Sequence, residues 1–171
     1  MEDYSHAEKE ILRIVHTKEE ADIAIELLDM LESGLFESSD RFLAVLEKEA
    51  PFWMSSLIRD IYEREKGNKD VLKNFFLSLR DQIRRIPLMT LELAFEPSRD
   101  LVSFLSRWAR ENAGATVLLD IRVIPAICGG IRVAFGGRYK EHTLKSRIEM
   151  ALQKARPMVG SHLKNNNGAK R

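Results

Sequence analysis

Apolar residues return every three or four positions through the first half of the chain and every second position through much of the second half. Tyr4, Ala7, Ile11, Ile14 and Val15 keep helical spacing. Thr17 followed by Glu20 matches a capping box, in which each side chain takes a backbone amide of the first turn, so a second helix opens there. It carries Ala24, Leu27, Leu28 and Leu31 on one stripe and is expected to stop near Gly34. Ser39 is expected to cap a short third helix bearing Phe42, Val45 and Leu46. Pro51 opens a fourth, with Met54, Leu57, Ile58 and Ile61 on one face, and Gly67-Asn68 closes it. Asn68 also caps a fifth, whose stripe is Leu72, Phe75, Phe76, Leu79 and Ile83. Five helices with single apolar stripes and short connections predict a compact bundle.

The period changes after Pro87. Met89, Leu91, Leu93 and Phe95 alternate with Thr90, Glu92 and Ala94, the pattern of a strand with one buried face. Ser98 is expected to cap a helix with Leu101, Phe104, Leu105 and Trp108 inward, ended by Asn112-Ala113-Gly114. Val117, Leu119, Ile121 and Val123 form a second alternation, and Ile131, Val133 and Phe135 a third. Gly136-Gly137 is a two-residue hairpin signal leading into Arg138-Tyr139-Lys140. A last helix places Leu144, Ile148, Ala151 and Leu152 on one stripe before Pro157. The expected class is α+β: a helical bundle over 1–86, a small β-α-β-β-α domain over 88–156, and a polar, basic tail over 157–171 that should be disordered.

Composition narrows the function classes. The 171 residues are 44% apolar and 31% charged, which suits a globular protein of one ordinary or two small domains. The run Val123-Ile124-Pro125-Ala126-Ile127-Cys128 falls far short of the roughly 20 apolar residues of a membrane helix, so no direct membrane insertion is expected. The acidic start Met1-Glu2-Asp3-Tyr4 has no apolar core, so neither a secretory signal nor a transit peptide is expected, favouring a bacterial cytoplasmic location or a processed form. The lone Cys128, in its apolar stretch, is expected as a small buried hydrophobe.

The net charge of +1 conceals an asymmetry. Residues 1–50 hold 14 acidic against 5 basic side chains, a net of −9, and residues 51–171 hold 12 against 22, a net of +10. Two such ends suit different partners or an internal match. The arginines and lysines at 84, 85, 107, 110, 122, 132, 138, 140, 145 and 147 open a nucleic-acid reading, but no aromatics are interleaved with them in a base-stacking pattern, and none is expected to bind nucleic acid.

Catalysis finds little support. His6, His16, His142 and His162 are scattered without a second histidine or a cysteine four residues on, so no metal site is expected. There is no Gly-x-Ser-x-Gly elbow, and Cys128 has no neighbouring histidine. Gly129-Gly130 and Gly136-Gly137 bracket a strand, but no Gly-Lys-Ser/Thr follows, so backbone permissiveness explains them better than a phosphate loop. No catalytic residue and no cofactor is expected.

The segment from Val123 through Pro125, Gly129-Gly130 and Phe135, followed by Glu141-His142-Thr143-Leu144-Lys145-Ser146-Arg147-Ile148, resembles the C-terminal signature of the F-type ATP synthase delta subunits, a family that includes the mitochondrial oligomycin-sensitivity-conferring protein. The family pattern runs Val-x-Pro, Ile-x-Gly-Gly, an alternating strand, a turn, then Asp-x-Ser and a helix with an Arg-Leu pair. Pro125, Gly129 and Gly130 match directly, while Glu141, Thr143 and Arg147-Ile148 stand where Asp, Ser and Arg-Leu are usual. Leu91 to Ser98 and Asn112 to Val117 are similar to the family's first strand and helix end.

This resemblance implies a non-catalytic stator subunit joining the catalytic head of a proton-translocating ATP synthase to its peripheral stalk, on the cytoplasmic face of the inner membrane. Its N-terminal bundle would grip the N-terminal helix of an alpha subunit, and its C-terminal domain would meet stalk subunit b. Tyr4, Ala7, Ile11, Leu57 and Ile61 are the expected walls of the head-peptide groove, by a helix-in-groove mode. The family's bundle has six helices against the five counted here. A V/A-type E-like stator subunit shares a Gly-Gly strand and the Thr143-to-Ile148 ending, but its long continuous first helix conflicts with Gly34, Pro51 and Gly67.

Overall fold

The computed structural model describes residues 4–144, 147, 148 and 150. Its helices are α1 (Ser5–Ile14), α2 (Lys18–Glu37), α3 (Ser39–Lys48), α4 (Phe52–Arg64), α5 (Lys69–Arg85) and α6 (Arg99–Ala113). The strands are β1 (Leu88–Leu93), β2 (Leu118–Val123), β3 (Gly130–Phe135) and β4 (Arg138–Thr143), with a 3-10 turn at Pro125–Ile127. The class is α+β, with a mixed four-stranded sheet in the order β2-β1-β3-β4. Two compact units divide the chain: Met1–Leu88 with Val102–Asp120, and Met89–Leu101 with Ile121–Arg171.

The helix starts follow side-chain chemistry. Thr17 and Glu20 form the full capping box, with the Glu20 amide donating to Thr17 Oγ1 at 3.1 Å and the Thr17 amide to the Glu20 carboxylate at 3.1 Å. Asn68 Oδ1 accepts from the Asp70 amide and caps α5. The cap of α3 is Ser38, one residue before the expected Ser39, because its hydroxyl reaches the Arg41 amide at 3.0 Å. Nor does Gly34 stop α2, which runs on to Glu37. A Cβ at position 34 would stand 3.2 Å from Phe42 Cα, so this glycine permits α2 and α3 to approach backbone to backbone.

The first unit has a continuous apolar core. Phe42, Phe76, Leu28, Leu31, Leu46, Met54, Ile58, Leu72 and Leu79 are fully enclosed. Tyr62 stacks on Phe42 with centroids 4.8 Å apart. Arg80 of α5 pairs with both Asp29 and Glu32 of α2 at the edge of this core. Leu118, at the start of β2, also joins the cluster. Thr17 and Leu119 form a parallel bridge, with the Leu119 amide donating to the His16 carbonyl at 2.9 Å.

Several inward assignments on α6 are corrected. Phe104 is 62% and Trp108 37% exposed, while Leu105, Ser106 and Ala109 are buried. The helix turns Leu105, Ser106 and Ala109 inward, and its aromatic pair forms an outer stripe. Phe95 is exposed and lies past the end of β1, where Met89, Leu91 and Leu93 carry the buried alternation.

In the second unit β3 lies between β1 and β4, antiparallel to both, with Leu91 opposite Val133 and Arg132 opposite Glu141. Gly136 and Gly137 form the expected two-residue turn, both at positive φ, as a primed turn demands. Of the expected last helix, residues 144, 147, 148 and 150 are helical, whereas Ala151, Leu152 and the tail lie outside the described residues.

Candidate functional site

Two groups of residues were singled out as functional, and each falls within one unit. The first is the expected groove wall of the bundle. Ile11 is 0% and Ile61 1% exposed, so both point into the core and present no surface to a partner. Tyr4, Ala7 and Leu57 pack against the same core while staying partly accessible. The Tyr4 hydroxyl donates to the Glu65 carboxylate, and its ring meets Phe75 edge-on at 6.1 Å. The start of α1 is thereby fixed between the end of α4 and α5, and Tyr4, Ala7 and Leu57 keep the accessible share of the expected wall.

The second group surrounds Gly129-Gly130. Pro125 opens the 3-10 turn, where a missing N–H goes unfelt. The turn ends at Cys128, which is left-handed at φ 57° and exposed, correcting the expected burial. Chain reversal here needs two further positive φ values, 113° at Gly129 and 94° at Gly130. A Cβ on Gly130 would lie 2.1 Å from the His142 carbonyl oxygen and 2.8 Å from Thr143 Cα. Only glycine fits where β3 and β4 meet so closely. The Leu144 amide then donates to the Gly129 carbonyl at 3.0 Å, tying the end of β4 to the same turn.

Glu141 and Thr143 share that end of the sheet. Thr143 is buried, and its hydroxyl donates to the Glu141 carboxylate at 2.6 Å. Arg132, opposite Glu141 on β3, pairs with it at 3.3 Å and with Glu92 of β1 at 3.2 Å. The result is a Glu92-Arg132-Glu141 ladder across three strands. The Thr143 hydroxyl bond, followed by the Arg132 charge, holds the Glu141 carboxyl below its ordinary value. Gly129, Gly130, Glu141 and Thr143 are therefore brought together at one end of β3 and β4. Arg147 and Ile148 follow on a helical segment and are exposed.

Sequence reasoning missed the ladder, although its signal was available: Glu92, Arg132 and Glu141 occupy polar positions of their strand alternations. It also missed a cluster in the first unit. The Arg110 guanidinium donates to the carbonyls of Arg13 at 3.0 Å and Val15 at 2.9 Å, closing the C-terminal end of α1. Ser106 Oγ lies 3.1 Å and Arg110 Nη2 3.4 Å from His16 Nδ1. These partners are 90 and 94 residues from His16, and no local pattern announces them.

The first group is mainly apolar, and in the second one guanidinium is shared by two carboxylates within the sheet. Among the described residues no helix is long and apolar enough to cross a membrane. No family model matches the chain. It is similar to a protein named ATP synthase subunit delta from Methylobacterium sp. (strain 4-46), 26% identical over 140 residues that cover 77% of this chain and 73% of the relative.

Proposed function

We propose that this protein is a non-catalytic stator subunit of an F-type, proton-translocating ATP synthase, holding the catalytic head to the peripheral stalk. The observation that carries the reading is the extent of the similarity to the Methylobacterium subunit: at 140 residues it is longer than either the expected bundle or the expected small domain. The order of helices followed by a sheet, with Pro125 and Gly129-Gly130 leading into β3, supports it. Such a subunit works as a clip, by protein contact alone.

In this reading the unit rich in helices takes the N-terminal helix of an alpha subunit along Tyr4, Ala7 and Leu57, and residues 88–156 take the end of stalk subunit b. The protein sits peripherally on the cytoplasmic face of the membrane. The acidic residues 1–50 steer a basic partner and the basic remainder an acidic one, because opposite potentials raise encounter rates. A nucleic-acid face is disfavoured, since Arg110 and Arg132 are engaged within the fold and Arg85 pairs with Asp81 at 2.6 Å. An E-like stator is disfavoured by the five separate helices before β1.

The test is capture of subunits by tagged full-length protein, with the captured chains identified by mass spectrometry. Recovery of ATP synthase alpha and b subunits at low salt, with association slowed by added salt, is the expected result. Recovery of neither by folded protein overturns the reading.

A further inference from the structure

His16 sits at a junction of four elements, following α1, preceding α2, and facing α6 and the start of β2. Its backbone is held from two sides: the amide donates to the Glu20 carboxylate at 2.7 Å, and the carbonyl accepts from the Leu119 amide at 2.9 Å. The ring therefore has a fixed origin. Toward its Nδ1 point the Ser106 hydroxyl at 3.1 Å and an Arg110 N–H at 3.4 Å. A guanidinium can only donate, so Nδ1 must carry the lone pair and the ring is the neutral Nε2–H tautomer. Ser106 is buried.

We propose that His16 is a proton-operated latch, which holds residues 102–113 of α6 against the end of α1 while the imidazole is neutral and releases them when Nδ1 is protonated. A proton on Nδ1 removes the acceptor from Arg110, which can only donate, while the Ser106 hydroxyl is left to turn and accept. The proton also sets a second positive charge beside a guanidinium that bonds the last carbonyls of α1. The charged groups facing the ring from each element decide the direction. On α6 Arg110 opposes protonation; on α2 Glu20 favours it, but its carboxylate is bonded to the His16 and Thr17 amides; beyond Leu119 on β2, Asp120 acts on Lys18. On α1 the nearest charge, Arg13, pairs with Glu10 at 3.0 Å.

Burial first, and the Arg110 charge second, hold the His16 pKa below its ordinary 6.5, against a smaller opposing pull from Glu20. A histidine whose folded pKa is depressed contributes stability that is complete above the open-state pKa and is lost as pH falls through the folded one. The latch is therefore closed at neutral pH and opens in mild acid.

The experiment is hydrogen exchange of the 102–113 amides in the full chain between about pH 7.5 and 5.5, corrected for intrinsic rates, with NMR titration of the His16 ring. In the native protein the opening constant should rise on acidification, by up to about tenfold for each unit separating the open and closed pKa values. His16→Asn, whose Oδ1 stands where Nδ1 does but cannot titrate, should abolish the rise. An equal rise in His16→Asn, or none in the native protein, overturns the proposal. A native midpoint at or above 6.5 overturns it independently of whether the Asn variant folds.

Discussion

The helices α1–α5 and the β1-β3-β4 sheet obtain their order in different ways. In the bundle nearly every inward position is a large apolar side chain enclosed on all sides, from Ile11 through Ile83. In β1, β3 and β4 the buried apolar residues are Met89, Leu91 and Leu93 of β1, while Ile131, Val133 and Phe135 of β3 remain partly exposed. The sheet instead depends on Gly130, which lets β3 meet β4, and on the Glu92-Arg132-Glu141 ladder. Burial is roughly proportional to area and tolerates imprecision, whereas a backbone approach of this kind admits one residue type. The bundle should therefore respond to volume and the sheet to stereochemistry.

The largest effect expected is from Phe76→Ala. Phe76 is fully buried beside Phe42 and Phe75, and its truncation should cost about 3–5 kcal/mol in urea denaturation. Val133→Ala, a truncation in the half-exposed sheet strand, should cost only about 1 kcal/mol. Equal losses would break the contrast. Next comes Gly130→Ala, which adds one methyl group yet meets the His142 carbonyl at 2.1 Å from a left-handed backbone. It should cost about 3 kcal/mol, and Gly137→Ala, also at positive φ but with open space around its Cβ, about 1 kcal/mol. The gap between these two glycine variants measures the close approach by itself.

Much of the bundle was legible because α2 to α5 carry start signals and every helix a 3.6-residue stripe. Thr17 with Glu20, Asn68, and the Gly136-Gly137 turn were all found from local sequence, since local backbone chemistry sets them. The errors share one physical cause: local sequence does not state what stands opposite. Gly34 looked like a helix stop and is a helix-packing contact. Phe104 and Trp108 looked like core because they are large, yet α6 turns Ser106 and Ala109 inward. Cys128 looked buried in its apolar run, but the turn before Gly129 lifts it into solvent. Within the Gly129-Gly130 site, the glycines were legible from the backbone freedom they permit, and Pro125 through the family resemblance. The Arg132 pairings depend on strand register and were not.

Thr143→Val tests the polar half of the contrast at a middling level. The substitution keeps the volume of a buried side chain and deletes one hydroxyl, so a bundle-like sheet would hardly notice it. A sheet held by polar pairing should lose about 1–2 kcal/mol, the worth of a hydrogen bond to a carboxylate. The same variant should raise the Glu141 pKa, which can be followed by carbon-detected NMR of its carboxyl, because the Thr143 hydroxyl is the first cause of the depression.

The smallest effect, and the one most specific to the sheet, is the acid response of Glu141. A carboxylate whose folded pKa is depressed stabilises the fold above its unfolded pKa, and that contribution fades as pH falls through the folded value. Its solvent exposure keeps the contribution modest at neutral pH, since water and salt screen an open ion pair. Glu141→Gln should therefore change the neutral-pH midpoint little, yet flatten the fall in stability between about pH 5 and 3. If Glu141→Gln leaves the acid limb as steep as in the native protein, the ladder is one more surface ion pair, and the sheet's order rests on Gly130 and the β1 side chains alone.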